Sequence, residues 1–137
     1  MLGAGLIGEF YAQALLSNRS RDQISVVYSR SKERAQSFAA RWNVPRATTS
    51  LTEAIQDSEA ELVIVAVPNH MHEEAVIESA RAGKGVLCTK PLGRTVIEAR
   101  RMLDAVETAG VFHGYLEDLV YTPKTLKALA TVDSGSL

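Results

Sequence analysis

The chain has 137 residues, of which 46% are hydrophobic and 23% charged, a composition typical of a globular domain and unlike that of a disordered chain. Its 15 lysines and arginines nearly balance 16 aspartates and glutamates, so the charge gives no reason to expect a nucleic acid or a membrane surface as partner. The single cysteine, Cys88, excludes an intramolecular disulfide and an all-cysteine metal site. We expect one compact cytoplasmic domain without a metal ion.

Short apolar runs alternate with helical patterns along the chain. Helices are predicted at residues 6–17, 31–42, 50–55, 70–82, 95–109 and 123–132. Strands are predicted at residues 24–28, 46–48, 61–67, 85–88 and 111–115. A polar break is expected at residues 18–21, Ser31 is a good N-cap, and Gly83 and Gly110 each stand where a helix should end.

The strand at residues 61–67 is hydrophobic almost without interruption, which indicates a parallel strand covered on both faces. The connections between strands are long enough for helices, and such connections imply parallel strands with right-handed crossovers. The sequence therefore predicts a doubly wound parallel α/β sheet.

A glycine-rich turn opens the first predicted helix. Residues 3–8, Gly-Ala-Gly-Leu-Ile-Gly, fit the pattern G-x-G-x-x-G. In that pattern the first glycine (Gly3) permits a tight turn, the second (Gly5) lets a pyrophosphate approach the backbone, and the third (Gly8) lets helix and strand pack closely. The N–H groups at the helix start would then bind the phosphates. Alone the pattern is a weak signal, because methyl-donor-binding α/β folds share it.

The end of the next strand bears on the choice of cofactor. It falls at Ser29, 21 residues after Gly8, where an NAD-selective site usually has an acid for the ribose 2′-hydroxyl. Here Ser29 is followed by Arg30 and Lys32, whose charges suit a 2′-phosphate. We therefore expect NADP(H) to be preferred over NAD(H). The alternative is that Arg30 and Lys32 only form a solvated loop and helix start.

Four segments, in the right order, resemble the nucleotide-binding Rossmann domain of the glucose–fructose oxidoreductase, inositol dehydrogenase and MocA (Gfo/Idh/MocA) family. They are the glycine turn with Leu6 and Ile7, and residues 27–35, 65–72 and 82–92. The last is the most specific, because the family reads close to A-G-K-x-V-x-x-E-K-P there. The resemblance covers essentially the whole chain.

The resemblance implies a role for each matched position. The pyrophosphate would be held by Gly3, Gly5, Leu6, Ile7 and Gly8. The adenosine ribose would lie at Ser29 and Arg30, and the nicotinamide side of the cofactor would be bordered by Pro68, Asn69, His72, Thr89, Lys90 and Pro91. Thr89 stands where the family usually has a glutamate, so it can still form a hydrogen bond but carries no charge. Tyr115 would line the cleft on the substrate side.

Lys90 is the candidate catalytic residue. It follows a predicted strand, and ligands of open α/β sheets bind beyond the carboxyl ends of the strands. Pro91 biases Lys90 away from helical geometry. An ammonium beside a carbinol or carbonyl oxygen can donate a hydrogen bond and assist proton transfer. The alternative is an ordinary exposed lysine before a loop proline.

The family implies an NAD(P)-dependent oxidoreductase that transfers a hydride between the nicotinamide and a sugar, polyol or related secondary alcohol. A second possibility is a sensor that binds the cofactor without chemistry, which Lys90 argues against and Thr89 mildly favours. A third, an S-adenosylmethionine-dependent methyltransferase, is disfavoured by the missing acid after the second strand and by the sequence Thr89-Lys90-Pro91.

The resemblance also sets expectations for the ends of the chain. The family order of strands is 3-2-1-4-5-6, and only two residues stand before Gly3 for a first strand of roughly five residues, so that strand is expected to be truncated. Residues 1–122 would form the nucleotide-binding domain, and residues 123–137 a helix and the start of a linker to a second, substrate-binding domain. We expect this chain alone to turn over weakly at most, and the full-length protein to be a homo-oligomer.

Overall fold

The computed structural model describes residues 1–18 and 21–136, apart from the side chain of Asn18. The strands are β1 (Val26–Tyr28), β2 (Arg46–Thr48), β3 (Leu62–Val65), β4 (Gly85–Thr89) and β5 (His113–Leu116). The helices are α1 (Leu6–Asn18), α2 (Lys32–Trp42), α3 (Leu51–Ile55), α4 (His72–Arg81), α5 (Val96–Ala109) and α6 (Pro123–Asp133). Single 3₁₀ turns lie at Asn69–Met71 and Asp118–Tyr121.

The strands form two parallel sheets, one of β1 and β2 and one of β3, β4 and β5 in that order. In the larger sheet Val65 pairs with Cys88, which in turn pairs with Tyr115, so the three strands end at nearly the same level. Every strand pair is parallel, as the helix-length connections predicted.

The first three residues lie between the two sheets. Leu2 forms parallel bridges with both Tyr28 of β1 and Val65 of β3. Its N–H donates to the carbonyl of Ile64 at 2.9 Å, and the N–H of Gly3 donates to the carbonyl of Tyr28 at 2.9 Å. Backbone hydrogen bonds therefore run from this segment to both sheets, and they fix the position of the glycine turn that follows.

Alternate strand residues contribute to two separate hydrophobic clusters. Val63 and Val65 pack with buried side chains of α3, α4 and α5, whereas Ile64 packs with buried side chains of α1 and α2. Both faces of the strands are therefore covered by helices, which explains the unbroken hydrophobicity of residues 62–67. The prediction of a Rossmann-type α/β fold is confirmed.

The caps follow the sequence signals. The Ser31 side chain accepts a hydrogen bond from the N–H of Arg34, and that of Ser50 accepts one from the N–H of Glu53. Gly83 and Gly110 have φ of 71° and 64°, the left-handed conformation that ends helices. These predicted helix ends are confirmed.

Several predicted boundaries differ. The strands predicted at residues 24–28 and 61–67 are shorter, because only Val26–Tyr28 and Leu62–Val65 pair with a neighbouring strand. The helix predicted over residues 70–82 begins as a 3₁₀ turn after Pro68, in which the N–H of Met71 donates to the carbonyl of Pro68 at 2.8 Å, and becomes α-helical at His72. The strand predicted at residues 111–115 begins at His113, because the N–H of Val111 still closes α5. Helix α1 includes Asn18, and the rest of the predicted break at residues 19 and 20 lies outside the described residues.

Within the part of the chain that the structure describes, the helices are too short or too polar to cross a membrane.

Candidate functional site

The glycine turn connects residues 1–3 to α1 and has no room for side chains at two of its glycines. Gly3 has a φ of 119°, and a β-carbon there would overlap the carbonyl group of Ala66. A β-carbon on Gly8 would overlap the carbonyl oxygen of Gly3. The first and third glycines are therefore needed for the turn itself and for the close packing of α1 against it.

Gly5 is different, because a β-carbon there would meet no protein atom within 4 Å. It precedes α1, whose first N–H groups, those of Leu6, Ile7 and Gly8, have no partner within the helix. These N–H groups carry the positive end of the helix dipole. The turn thus presents an open, positively polarised backbone surface that an anion can approach closely.

An open cleft of about 290 Å³ adjoins the turn at the carboxyl ends of β1 and β3. It is lined by Gly3, Ala4, Gly5, Leu6, Ile7, Tyr28, Ser29, Arg30, Arg34, Ala66, Val67, Pro68 and Met71. The structure therefore brings the glycine turn, the end of β1 and Pro68 together around one cleft. The other predicted site residues lie outside this lining.

The end of β1 and the start of α2 each contribute one guanidinium group to the cleft. Ser29 is buried, and its side-chain oxygen accepts a hydrogen bond from the N–H of Ser31 at 3.3 Å. Arg30 and Arg34 both line the cleft with exposed side chains, whereas Lys32 is exposed and lies outside the lining. Sequence reasoning missed Arg34 as a residue that lines the cleft. Its signal was available, because the Ser31 cap places Arg34 on the first turn of α2, directly behind the strand end.

His72, expected beside the nicotinamide, is 1% exposed at the start of α4. Its Nε2 lies 3.0 Å from the carbonyl oxygen of Val67, and its Nδ1 lies 3.0 Å from that of Pro91 and 3.2 Å from that of Leu92. Asn69 donates from Nδ2 to the same Pro91 oxygen at 2.8 Å. His72 thus contacts backbone that follows both β3 and β4, whereas Asn69 contacts backbone that follows β4.

Lys90 follows β4 at the carboxyl edge of the larger sheet, and its side chain is exposed. Thr89 is buried and donates its hydroxyl to the carbonyl of Val65 at 2.9 Å. The Lys90–Pro91 peptide bond is cis. Val65 of β3 pairs with Cys88 of β4 and directly precedes the cleft-lining residues Ala66 and Val67. Lys90 therefore follows the strand next to the cleft, at the same carboxyl edge.

Tyr115 lies one strand further away. Its ring is 50% exposed and lines a separate apolar cavity of about 100 Å³ with Cys88 and Met102. Burial raises the pKa of the Cys88 thiol to about 12, so this thiol is protonated and inert at neutral pH. Among the described residues, no group of three histidines, cysteines or acids is arranged to hold a metal ion.

Taken together, a glycine turn before a helix, at the carboxyl edge of parallel strands, defines a Rossmann-type dinucleotide-binding domain. The profile of the family described as "Oxidoreductase family, NAD-binding Rossmann fold" (GFO_IDH_MocA) matches residues 1–115. The chain belongs to this Gfo/Idh/MocA family, and it is an NAD-binding oxidoreductase domain.

Named relatives agree with this assignment. The chain is 35% identical over 113 residues to trans-1,2-dihydrobenzene-1,2-diol dehydrogenase of Mus musculus, covering 82% of this chain and 34% of the relative. It is 32% identical over 112 residues to levoglucosan dehydrogenase of Pseudarthrobacter phenanthrenivorans, covering 82% and 29%. A solved levoglucosan dehydrogenase in complex with NADH and levoglucosan superposes with a TM-score of 0.87 at 28% identity, covering 98% of this chain and 38% of that one.

The chain thus spans about a third of the length of the relatives it matches. Those relatives are sugar and diol dehydrogenases by name.

Proposed function

We propose that this chain is the cofactor-binding part of an oxidoreductase that prefers NADP(H) and transfers a hydride to or from a sugar, polyol or related secondary alcohol. The observation that carries the proposal is the cleft itself. An open glycine turn lies on one side of it, and two guanidinium groups, Arg30 and Arg34, lie on the other.

The glycine turn fits a pyrophosphate. Gly5 leaves space where a larger residue would project, and the N–H groups of Leu6, Ile7 and Gly8 are available to oxygen acceptors. We assign these residues, with Gly3, to the phosphates. Gly3 contributes by keeping the backbone close-packed, and Gly8 does so as well as offering its N–H.

The end of β1 fits a phosphorylated ribose better than a free one. No acid lies between Gln23 and Lys32, so the ribose 2′-hydroxyl has no carboxylate acceptor from this segment. Arg30 and Arg34 both line the cleft and can bind a 2′-phosphate through charge-assisted hydrogen bonds. Ser29 is assigned to the same ribose, and Lys32, outside the cleft lining, adds positive charge nearby.

We further propose that the two sheets form one continuous sheet in the family order of strands, 3-2-1-4-5-6. Residues 1–3 take the place of the first strand, so the sheet reads β2, β1, residues 1–3, β3, β4 and β5. The hydrogen bonds of Leu2 and Gly3 toward β1 and β3 support this order. In such a sheet the glycine turn, Pro68 and Lys90 share one carboxyl edge, which is where ligands of this architecture bind.

When bound, the nicotinamide of the cofactor supplies the site that donates or accepts the hydride. Lys90 is assigned as the catalytic residue. Its exposed ammonium group can donate a hydrogen bond to the substrate oxygen and exchange a proton with it. Pro68, Asn69, His72, Thr89 and Pro91 are assigned to the nicotinamide side, and Tyr115 to the substrate side.

The properties of the whole protein belong to the same proposal. The names of the relatives favour a small sugar or diol as substrate, and we propose a cytoplasmic homo-oligomer in full-length form. Residues 1–122 would be the nucleotide-binding domain, and residues 123–137 would begin the link to a substrate-binding domain.

The cofactor proposal is tested by titrating the chain with NADPH and NADH and following nicotinamide fluorescence. We expect NADPH to bind at least about tenfold more tightly, since charge-assisted hydrogen bonds to one phosphate contribute about 1.5–3 kcal/mol each. Arg34→Ala should remove most of this preference, whereas Arg100→Ala, an exposed arginine on α5, should not. Equal or tighter binding of NADH would overturn the preference. Absence of binding by either cofactor would overturn the whole proposal.

Turnover separates an enzyme from a sensor of the same fold. An enzyme should reduce NADP⁺ with at least one member of a panel of sugars and polyols, and Lys90→Met should abolish this reaction. A protein that binds NADPH tightly but oxidises no alcohol, even in a longer form, would contradict the catalytic assignment of Lys90.

A further inference from the structure

We infer that Asn69 and His72 are positioning residues for Lys90, which they act on by tying the turn at residues 89–92 to the end of β3. This inference rests on the proposed function, because it takes Lys90 to be the catalytic group. It gives Asn69 and His72 a task in addition to their place on the nicotinamide side.

The carbonyl oxygen of Pro91 is the point where the two side chains converge. Asn69 Nδ2 donates to it at 2.8 Å, and His72 Nδ1 lies 3.0 Å from it. The same Nδ1 lies 3.2 Å from the carbonyl oxygen of Leu92. Asn69 lies in the connection between β3 and α4, and His72 is the first residue of α4, whereas Pro91 and Leu92 follow β4. The contacts therefore join the exits of two neighbouring strands.

The second ring nitrogen of His72 faces the backbone that follows β3. Nε2 lies 3.0 Å from the carbonyl oxygen of Val67, and the ring is 1% exposed, so water does not compete for these contacts. A neutral imidazole has one N–H and donates to one of the two sides, whereas the Asn69 amide has two N–H groups. Asn69 can therefore hold Pro91 in either tautomer of His72.

The residue that precedes Lys90 is also bonded to β3. The hydroxyl of Thr89, the residue directly before Lys90, donates to the carbonyl of Val65 at 2.9 Å. The exposed Lys90 thus lies between two residues that are held by hydrogen bonds. The hydroxyl of Thr89 binds the last residue of β3, and the carbonyl oxygen of Pro91 is bound by side chains from the segment that follows β3. A long, flexible side chain orients a reacting group effectively only when its backbone is fixed. The clamp formed by Asn69 and His72 supplies that constraint.

The test measures how well bound NADPH protects Lys90 from acetylation by acetic anhydride, quantified by mass spectrometry, together with the NADPH dissociation constant. Asn69→Ala removes one donor to Pro91. His72→Asn keeps an amide N–H near the position of Nδ1, which faces Pro91, and His72→Gln keeps one near Nε2, which faces Val67. His70→Gln, on the exposed side of the same 3₁₀ turn, is the matched control.

We expect protection of Lys90 to fall about fivefold in Asn69→Ala and in His72→Gln, as the loss of one hydrogen bond of about 1 kcal/mol implies. His72→Asn and His70→Gln should protect Lys90 as the unchanged chain does. The NADPH dissociation constant should stay unchanged in His70→Gln, and in Asn69→Ala and His72→Gln the loss of protection should exceed any loss of NADPH affinity, because the glycine turn is untouched. A purely structural role would instead weaken NADPH binding and protection together, and His72→Asn would not rescue either.

Undiminished protection in both Asn69→Ala and His72→Gln would overturn the inference, as would NADPH that binds without protecting Lys90. If the unchanged chain binds no NADPH, the proposed function fails, and amide hydrogen exchange at Thr89 and Lys90 without cofactor still decides the clamp. Exchange about fivefold faster in Asn69→Ala supports it, and unchanged exchange overturns it. Asn69 is half-buried, so its truncation keeps the test usable even if the His72 variants fail to fold.

Discussion

The ammonium group of Lys84 donates a hydrogen bond to the carbonyl oxygen of Asp57 at 2.9 Å, and it also donates to the carbonyl oxygen of Ala60 at 2.7 Å. Lys84 precedes β4, and the turn it contacts precedes β3, so the contact lies at the amino ends of the strands. Lys84 belongs to the most specific of the family-like segments. Its contacts give this lysine a structural role: it closes the turn before β3, at the edge of the sheet opposite the cleft.

Replacement of Lys84 by methionine should lower the free energy of unfolding by about 1–3 kcal/mol, because two hydrogen bonds from a charged donor are lost while the apolar stem is kept. Urea denaturation measures this change. Lys124→Met, on the exposed face of α6, is the control and should leave the midpoint unchanged. Equal midpoints for the two variants would show that the Lys84 contacts contribute nothing.

Substitution by alanine should affect cofactor binding at one glycine of the turn and stability at another. Gly5→Ala adds a methyl group that meets no protein atom within 4 Å, so the fold should persist while the methyl group occupies space assigned to the pyrophosphate. Gly8→Ala would overlap the carbonyl oxygen of Gly3, so the fold itself should be destabilised, by about 1–3 kcal/mol. Thermal unfolding and NADPH titration on both variants measure the two effects separately.

The prediction would be contradicted by a Gly5→Ala variant that binds NADPH as tightly as the unchanged chain. It would also be contradicted by a Gly8→Ala variant with an unchanged melting temperature.

Ser29→Asp should shift the cofactor preference toward NADH. Ser29 Oγ accepts a hydrogen bond from the N–H of Ser31, and an aspartate can accept the same bond, so the turn should survive. Its carboxylate would repel a 2′-phosphate and accept from a free 2′-hydroxyl, each effect being worth about tenfold in affinity. Ser29→Asn is the uncharged control. A preference that changes equally in both variants would attribute the effect to size instead of charge.

Most of the fold could be predicted from the sequence because its signals are local. The unbroken apolar run at residues 62–67, the cap at Ser31 and the glycines at positions 83 and 110 each act over one turn or one strand. The start of α4 could not be predicted from periodicity alone. The 3₁₀ turn that precedes it depends on Pro68 and leads to His72, whose ring is fixed by residues about twenty positions later.

The candidate site could be predicted only in part for a similar reason. The glycine turn is recognisable because its three glycines are close in sequence, and the structure shows why Gly3 and Gly8 must be glycines. Arg34 was missed because helical geometry, not sequence adjacency, brings it back to the cleft beside Arg30. The contacts of His72 with Val67 and Pro91 depend on the pairing of two strands, which no local pattern encodes.

The α-amino group of Met1 gives the chain a pH-dependent stability. It donates to the carbonyl of Val26 at 2.9 Å in a buried position, and burial lowers its pKa from 8.0 to about 5. In the unfolded chain this amine binds a proton near pH 8, whereas in the folded chain it does so only near pH 5. Between these values the unfolded state binds more protons, so the free energy of unfolding should rise with pH, by about 4 kcal/mol at most.

N-terminal acetylation isolates this contribution. An acetylated Met1 keeps one N–H for Val26 and cannot be protonated, and its acetyl group can extend into an opening beside Met1 that is lined by Ile24 and Leu62. Urea denaturation of both forms at a series of pH values should show the acetylated chain more stable by a few kcal/mol near pH 5, with the difference vanishing toward pH 8. The contributions of the other titrating groups cancel in the difference between the two free energies of unfolding, since these groups are common to both forms. A difference that stays constant with pH would mean that the amine keeps its ordinary pKa in the folded chain.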